Sequence, residues 1–112
     1  MKKIEAIIRE EKLDAVRNAL KNASYYGITV SEVSGHGRQG GVTLQWRVGD
    51  YQVDLLPKIK IEVVVLDEDV PEVLTAIKMA ARTGNIGDGK IFVYPVEDAM
   101  RIRTGDLGID AI

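Results

Sequence analysis

Four short stretches of the chain hold residue types that recognise anions or partner surfaces. Gly35-His36-Gly37-Arg38-Gln39-Gly40-Gly41 combines backbone freedom with a guanidinium. Glycines there either bring N–H groups close to an anion or serve as a loop hinge. Thr83-Gly84-Asn85-Ile86-Gly87-Asp88-Gly89-Lys90 formally contains GxxxxGK. Ile91 follows where a P-loop needs Ser or Thr, and the segment enters a strand rather than a helix, so P-loop geometry is not expected. Gly87-Asp88-Gly89-Lys90 still offers N–H groups and an ammonium to phosphate oxygens, while a turn needing positive φ explains the glycines alone. In Arg101-Ile102-Arg103-Thr104-Gly105, an extended backbone would point both guanidiniums to one side, as phosphate or carboxylate recognition requires; a solvated charged tail is the other reading. Leu44 to Leu56 carries the single tryptophan, Trp46, with Arg47 and Tyr51. That composition suits a partner surface or a hairpin packed on itself.

Catalysis finds little support. Neither a nucleophile–base pair nor a cluster of inward carboxylates can be assembled. His36 is the only histidine and there is no cysteine, so thiolate sites, disulfides and triads are excluded. With 15 Lys+Arg against 17 Asp+Glu, the net charge of −2 argues against direct nucleic-acid or membrane-surface binding. No run reaches the ~20 apolar residues of a membrane span, and a cytoplasmic location is expected.

The elements that must position these stretches follow a doubled plan. At 112 residues, with 46% hydrophobic and 29% charged residues, the chain is expected to form one domain, 1–112. Lys3 to Arg9 alternates, with Ile4, Ala6 and Ile8 on one face. Leu13, Val16, Leu20 and Ala23 form a helical stripe, with Gly27 expected as the helix stop. Ile28 to Val33 is a β-branched strand. Lys58 to Leu66 alternates again through Ile59, Ile61, Val63 and Val65. Asp67-Glu68-Asp69 and Pro71 open a second helix, whose stripe is Val70, Val73, Leu74, Ile77 and Ala81. Ile91 to Val96 is the last strand. The order βαββαβ predicts a ferredoxin-like α+β fold, a four-stranded antiparallel sheet with two helices on one face. The other face is expected to need a partner, because the strands hold more apolar positions than one side can take. Two segments are left over: the long loop between strands 2 and 3, within Gly35–Pro57, and the tail 97–112. Long loops inside compact domains are usually functional or disordered.

These segments, in this order along essentially the whole chain, closely resemble the PII nitrogen-regulatory signal transduction proteins. The carriers are Met1 to Ile8, Gly35 to Gln39, Leu55 to Glu62, Thr83 to Val93, and Arg101 to Gly105. The resemblance implies a homotrimer that binds ATP or ADP in clefts between neighbours. Thr29, Gly35, Gly37, Arg38, Glu62 and Val64 would form one wall, and Gly87, Asp88, Gly89 and Lys90 with Arg101 and Arg103 would hold the phosphates. Gln39 would complete a Mg²⁺ site with ATP and 2-oxoglutarate. Lys58 would pair with a 2-oxoglutarate carboxylate in a pocket finished by Gly37, Gly40 and Gly41. Residues 37–55 would be an output loop for an ammonium channel, a nitrogen-metabolism enzyme or a regulator, with the membrane reached only through a channel. Tyr51 stands where some relatives are nucleotidylated, but Trp46-Arg47-Val48-Gly49-Asp50 departs from their usual surroundings and Gly49 removes a serine that some phosphorylate. A PII-like sensor of carbon metabolites and other nucleotides, and a small phosphate-ester hydrolase, are the alternatives; retained Gln39 and Lys58 argue against the first.

Overall fold

The β-branched, alternating segments form the sheet of this computed structural model, and the two 3.6-period segments cover one of its faces. The structure describes residues 1–35, 43–46, 49–52 and 56–112, with only the backbone pairing of 43–46 and 49–52 described. The strands are β1 (Lys2–Ile8), β2 (Ile28–Gly35), β3 (Thr43–Trp46), β4 (Gly49–Gln52), β5 (Leu56–Val65) and β6 (Gly89–Pro95). The helices are α1 (Leu13–Asn22) and α2 (Val70–Ala81), each entered through a short 3₁₀ turn. The main sheet runs β2-β5-β1-β6, every neighbour antiparallel. That is the ferredoxin-like arrangement expected from the element order.

Alternation decides what is buried. Ile4, Ala6 and Ile8 of β1 and Ile59, Ile61, Val63 and Val65 of β5 share one core with Val16 and Leu20 of α1 and Val73, Ile77 and Ala81 of α2. Both helices therefore lie on the same face. Each fully buried aliphatic side chain contributes about 1.5–3 kcal/mol of transfer free energy. The opposite face is polar along its centre. Lys3 Nζ lies 3.2 Å from Glu62, and Lys60 Nζ lies 3.8 Å from Glu5 and 3.7 Å from Glu62. Tyr94 donates to Glu5 at 2.9 Å, and Lys3 sits 5.0 Å from the Tyr94 ring centre. The surplus apolar positions expected there, such as Phe92, are thus interleaved with ion pairs.

One local expectation is corrected. The first helix does not stop at Gly27. Ser24 takes φ 70°, its N–H donates to Lys21 O at 2.9 Å, and Tyr25 N–H donates to Leu20 O at 2.8 Å. This pair of bonds is a Schellman motif, with serine in the left-handed position that usually takes glycine. Ser24 is exposed and holds a positive φ, so Ser24→Gly is expected to stabilise the fold by about 0.5–1 kcal/mol; a chemical-denaturation midpoint at or below that of the parent protein would refute this. Within the long segment that precedes β5, β3 and β4 pair as a hairpin, one of the two readings its composition allowed, through Thr43↔Gln52, Leu44↔Tyr51, Gln45↔Asp50 and Trp46↔Gly49.

The end of α1 is tied to the start of α2 by a hydrogen bond from Tyr25 Oη to Glu72 Oε2 at 3.1 Å. Burial first, then that bond and the charges of Asp69 and Glu72, push the Tyr25 phenol up to about 12. A phenol held protonated in the fold stabilises it fully below pH 10, the ordinary tyrosine value, and this contribution disappears as pH rises from 10 to about 12. Denaturation midpoints measured across that window should fall less steeply for Tyr25→Phe than for the parent; parallel slopes would show that the phenol does not titrate as described.

Candidate functional site

Antiparallel pairing of β1 with β6 puts Ile8 opposite Gly89, so the next residues outward, Arg9 and Asp88, meet at the sheet's corner. Arg9 Nε donates to Asp88 Oδ1 at 3.1 Å and Arg9 Nη2 to Ile86 O at 2.8 Å. The turn after α2 then folds around the same carboxylate. Asp88 Oδ2 accepts from Thr83 N–H at 2.9 Å and Gly84 N–H at 2.8 Å, and Oδ1 accepts from the Thr83 hydroxyl. The Thr83 hydroxyl bond, helped by the two N–H groups and Arg9, holds the Asp88 carboxyl well below the usual carboxylate range. The Asp88 side chain thus braces the turn from within, and the N–H groups expected to face a phosphate belong to the Gly87–Lys90 backbone.

Gly87 and Gly89 occupy φ 103° and 104°, which the backbone needs to reverse from α2 into β6. Lys90, the second residue of β6, lies opposite Ile7 on the open face and is exposed. On β5, which β1 separates from β6, Lys58 is buried, and its Nζ donates to Gly87 O at 2.9 Å. Burial, then the charge of Arg9, lowers the Lys58 pKa, while Glu11 and Asp88 pull the other way. Gly35 closes the same corner: a Cβ added there would sit 3.9 Å from Lys58 Cγ.

The structure therefore links Gly35 to Lys58, and Lys58 to the turn that holds Gly87, Asp88 and Gly89 and leads into Lys90. Thr29 and Glu62 are cross-strand partners, with Val64 two residues further along β5 on the same face. This second group lies towards the β2 edge, whereas Lys90 lies on the β6 edge; three strand spacings of about 4.8 Å separate β2 from β6. Gly37, Arg38, Gln39, Gly40 and Gly41 lie outside the described residues, as do His36 and the side chain of Tyr51. Arg101 and Arg103 belong to the tail after β6, and the extended segment expected for them is replaced by a turn. Arg101 N–H donates to Asp106 O and Gly105 N–H donates to Arg101 O, with Gly105 at φ 74° and an isolated bridge joining Met100 to Leu107. Period-two reasoning fails there because the chain reverses. The Arg101 guanidinium lies 3.7 Å from Asp106. Arg9 and Thr83, which hold the turn, were missed; the signal for Arg9 is visible only once β1 and β6 are paired.

Known proteins agree with this plan from end to end. The family described as Nitrogen regulatory protein P-II matches residues 1–106. The chain belongs to the P-II family. Nitrogen regulatory protein P-II of Rhizobium meliloti (strain 1021) is 57% identical over 112 residues, covering 100% of both chains. Nitrogen regulatory protein P-II 2 of Methanothermobacter thermautotrophicus is 56% identical over the whole of this chain and 97% of its own, and the Rhodospirillum rubrum protein is 57% identical over all of both. This is a P-II signal transduction protein, and the resemblance seen in its glycine and lysine motifs is one of common family. None of the P-II helices described here is long and apolar enough to cross a membrane. Among the described residues no cluster of three or more metal-ligating side chains occurs.

Proposed function

We propose that this P-II protein senses ATP or ADP together with 2-oxoglutarate, works as a cytoplasmic homotrimer, and signals to partner proteins through residues 37–55. The observation that carries this reading is the division of charge at the 83–90 turn. Its one carboxylate, Asp88, is consumed by four donors, three from the turn and one from Arg9, and its ammonium, Lys90, is exposed on the open face. A turn built this way presents N–H groups and positive charge outward, which suits a polyphosphate. The donor set is thus chemically suited to nucleotide. Gly87, Asp88 (through its backbone N–H), Gly89 and Lys90 would hold phosphate oxygens, joined by Arg101 and Arg103; Gly35, Gly37, Arg38, Gln39, Thr29, Glu62 and Val64 would form the opposite wall. Mg²⁺, an oxygen-seeking cation, would be held by ATP with Gln39, and 2-oxoglutarate by Lys58, Gln39, Gly37, Gly40 and Gly41.

In this reading the protein is a regulator rather than an enzyme. Its partners would be an ammonium channel, a nitrogen-metabolism enzyme or a regulatory protein, with any modification at Tyr51. Lys90→Ala tests the phosphate role. A charge-assisted hydrogen bond contributes roughly 1.5–3 kcal/mol, so ATP affinity measured by calorimetry should drop by about one to two decades while the assembly persists. An unchanged ATP affinity would remove Lys90 from the site.

A further inference from the structure

The turn between α2 and β6 is gripped by two cations that lie far from it in sequence. Arg9 Nη2 donates to Ile86 O at 2.8 Å, and Lys58 Nζ donates to Gly87 O at 2.9 Å. In a trans peptide the N–H points opposite to the C=O, and among the described residues no peptide bond is cis. Holding those two carbonyls therefore aims the Gly87 N–H away from Arg9 and the Asp88 N–H away from Lys58. The Asp88 carboxylate fixes the first half of the turn. It accepts from Arg9 Nε, from the Thr83 and Gly84 N–H groups and from the Thr83 hydroxyl. That hydroxyl is also an acceptor, meeting Asn85 N–H at 3.1 Å. The Arg9 side chain is only 17% exposed, and both Nε and Nη2 are engaged with the turn.

A loop that orders itself only when a ligand arrives loses affinity by the cost of that ordering, and a loop ordered beforehand does not. We propose that Arg9, Thr83 and the Asp88 carboxylate are positioning residues for nucleotide, one brace that sets ATP and ADP affinity without touching either ligand. The inference rests on the nucleotide reading of the 83–90 turn and assigns that site its support. Charge alone makes a different forecast. A cation near a phosphate attracts it and an anion repels it, so loss of Arg9 would weaken binding and loss of the Asp88 charge would strengthen it. As parts of one brace, both losses weaken it. Asp88→Asn leaves one acceptor oxygen with two lone pairs, too few for the four donors that meet the carboxylate.

Calorimetric titration of ATP with Mg²⁺, and of ADP, into the full chain tests this. Arg9→Gln and Asp88→Asn should each raise both dissociation constants by about fivefold or more, the loss expected from one net hydrogen bond. Combining them should cost little more than the larger single loss, because parts of one unit are not additive. Thr83→Val should weaken binding by about threefold or more, and Thr83→Ser, which keeps the hydroxyl, should match the parent. Arg17→Gln, which removes a cation from an exposed position of α1, should change nothing. Tighter binding by Asp88→Asn would overturn the brace and leave the turn a site of charge alone. Additive losses in the double variant would overturn it as well, making Arg9 a direct ligand contact. Unchanged affinity in Arg9→Gln would show that the turn keeps its shape without help. A parent protein that binds neither nucleotide would instead remove the nucleotide reading itself, and this role with it. If circular dichroism shows Arg9→Gln or Asp88→Asn unfolded, the Thr83 pair decides. Weaker binding by Thr83→Val than by Thr83→Ser supports the brace, and equal affinities overturn it.

Discussion

Gly89→Ala is expected to lower stability by more than about 3 kcal/mol. The reason is positional. A Cβ built at Gly89 would lie 1.7 Å from Ile7 O and 2.8 Å from Ile7 C, both backbone atoms of the neighbouring strand, at φ 104°. No rotamer change can relieve such a clash. Either β6 moves away from β1, breaking ladder bonds at the corner that positions Lys90, or the turn abandons its left-handed geometry. Gly84 supplies the control, because it also has positive φ, 90°, but nothing within 4 Å of an added Cβ. Gly84→Ala should therefore cost only the conformational strain, about 1–2 kcal/mol. Thermal scans should separate the two, with Gly89→Ala lower by on the order of 10 °C or more than the parent. Equal losses in the two variants would show that the close approach to Ile7 is not what fixes this glycine.

The contrast also shows what the residues themselves could reveal. Both glycines look alike in Thr83-Gly84-Asn85-Ile86-Gly87-Asp88-Gly89-Lys90, and turn chemistry accounts for either. Only the β1–β6 register gives Gly89 a neighbour. The same register explains Arg9: it stands 79 residues from Asp88 in sequence, yet becomes its next cross-strand neighbour after Ile8↔Gly89. The fold was legible because its signals are local and periodic. Ile4, Ala6 and Ile8 alternate, Val73, Ile77 and Ala81 recur on one helical face, and all six are buried. The Ser24 helix stop was not legible, since serine in the left-handed region has no pattern of its own and Gly27 nearby offered a more usual one. The Arg101–Arg103 turn was hidden for a related reason. Alternating charged and apolar residues read as a strand, but Gly105 at φ 74° reverses the chain and ties Arg101 to Asp106.

In the proposed effector site the largest functional effect is expected from Gln39→Ala, which should abolish 2-oxoglutarate binding while leaving ADP affinity nearly unchanged. In the proposed site, Gln39 gives an oxygen to a Mg²⁺ that ATP already holds, and 2-oxoglutarate completes the metal's near-octahedral shell. ADP lacks the γ-phosphate that helps fix this metal, so it should not support the effector. Gln39→Glu is the weaker test, since a carboxylate can still bind Mg²⁺. Lys58 adds a second link between the two ligands. Its Nζ donates to Gly87 O at 2.9 Å, so the ammonium proposed for the 2-oxoglutarate carboxylate also holds the backbone of the proposed phosphate turn. A lysine that desolvation makes costly to keep charged gains most when an anion arrives. Linkage then requires 2-oxoglutarate to raise ATP affinity by the factor that ATP raises 2-oxoglutarate affinity. Calorimetric titration of each ligand with and without the other measures both factors. Tight 2-oxoglutarate binding in the absence of ATP, or equal binding with ADP, would show that the metal bridge through Gln39 is wrong and would leave Lys58 as the only tie between the sites.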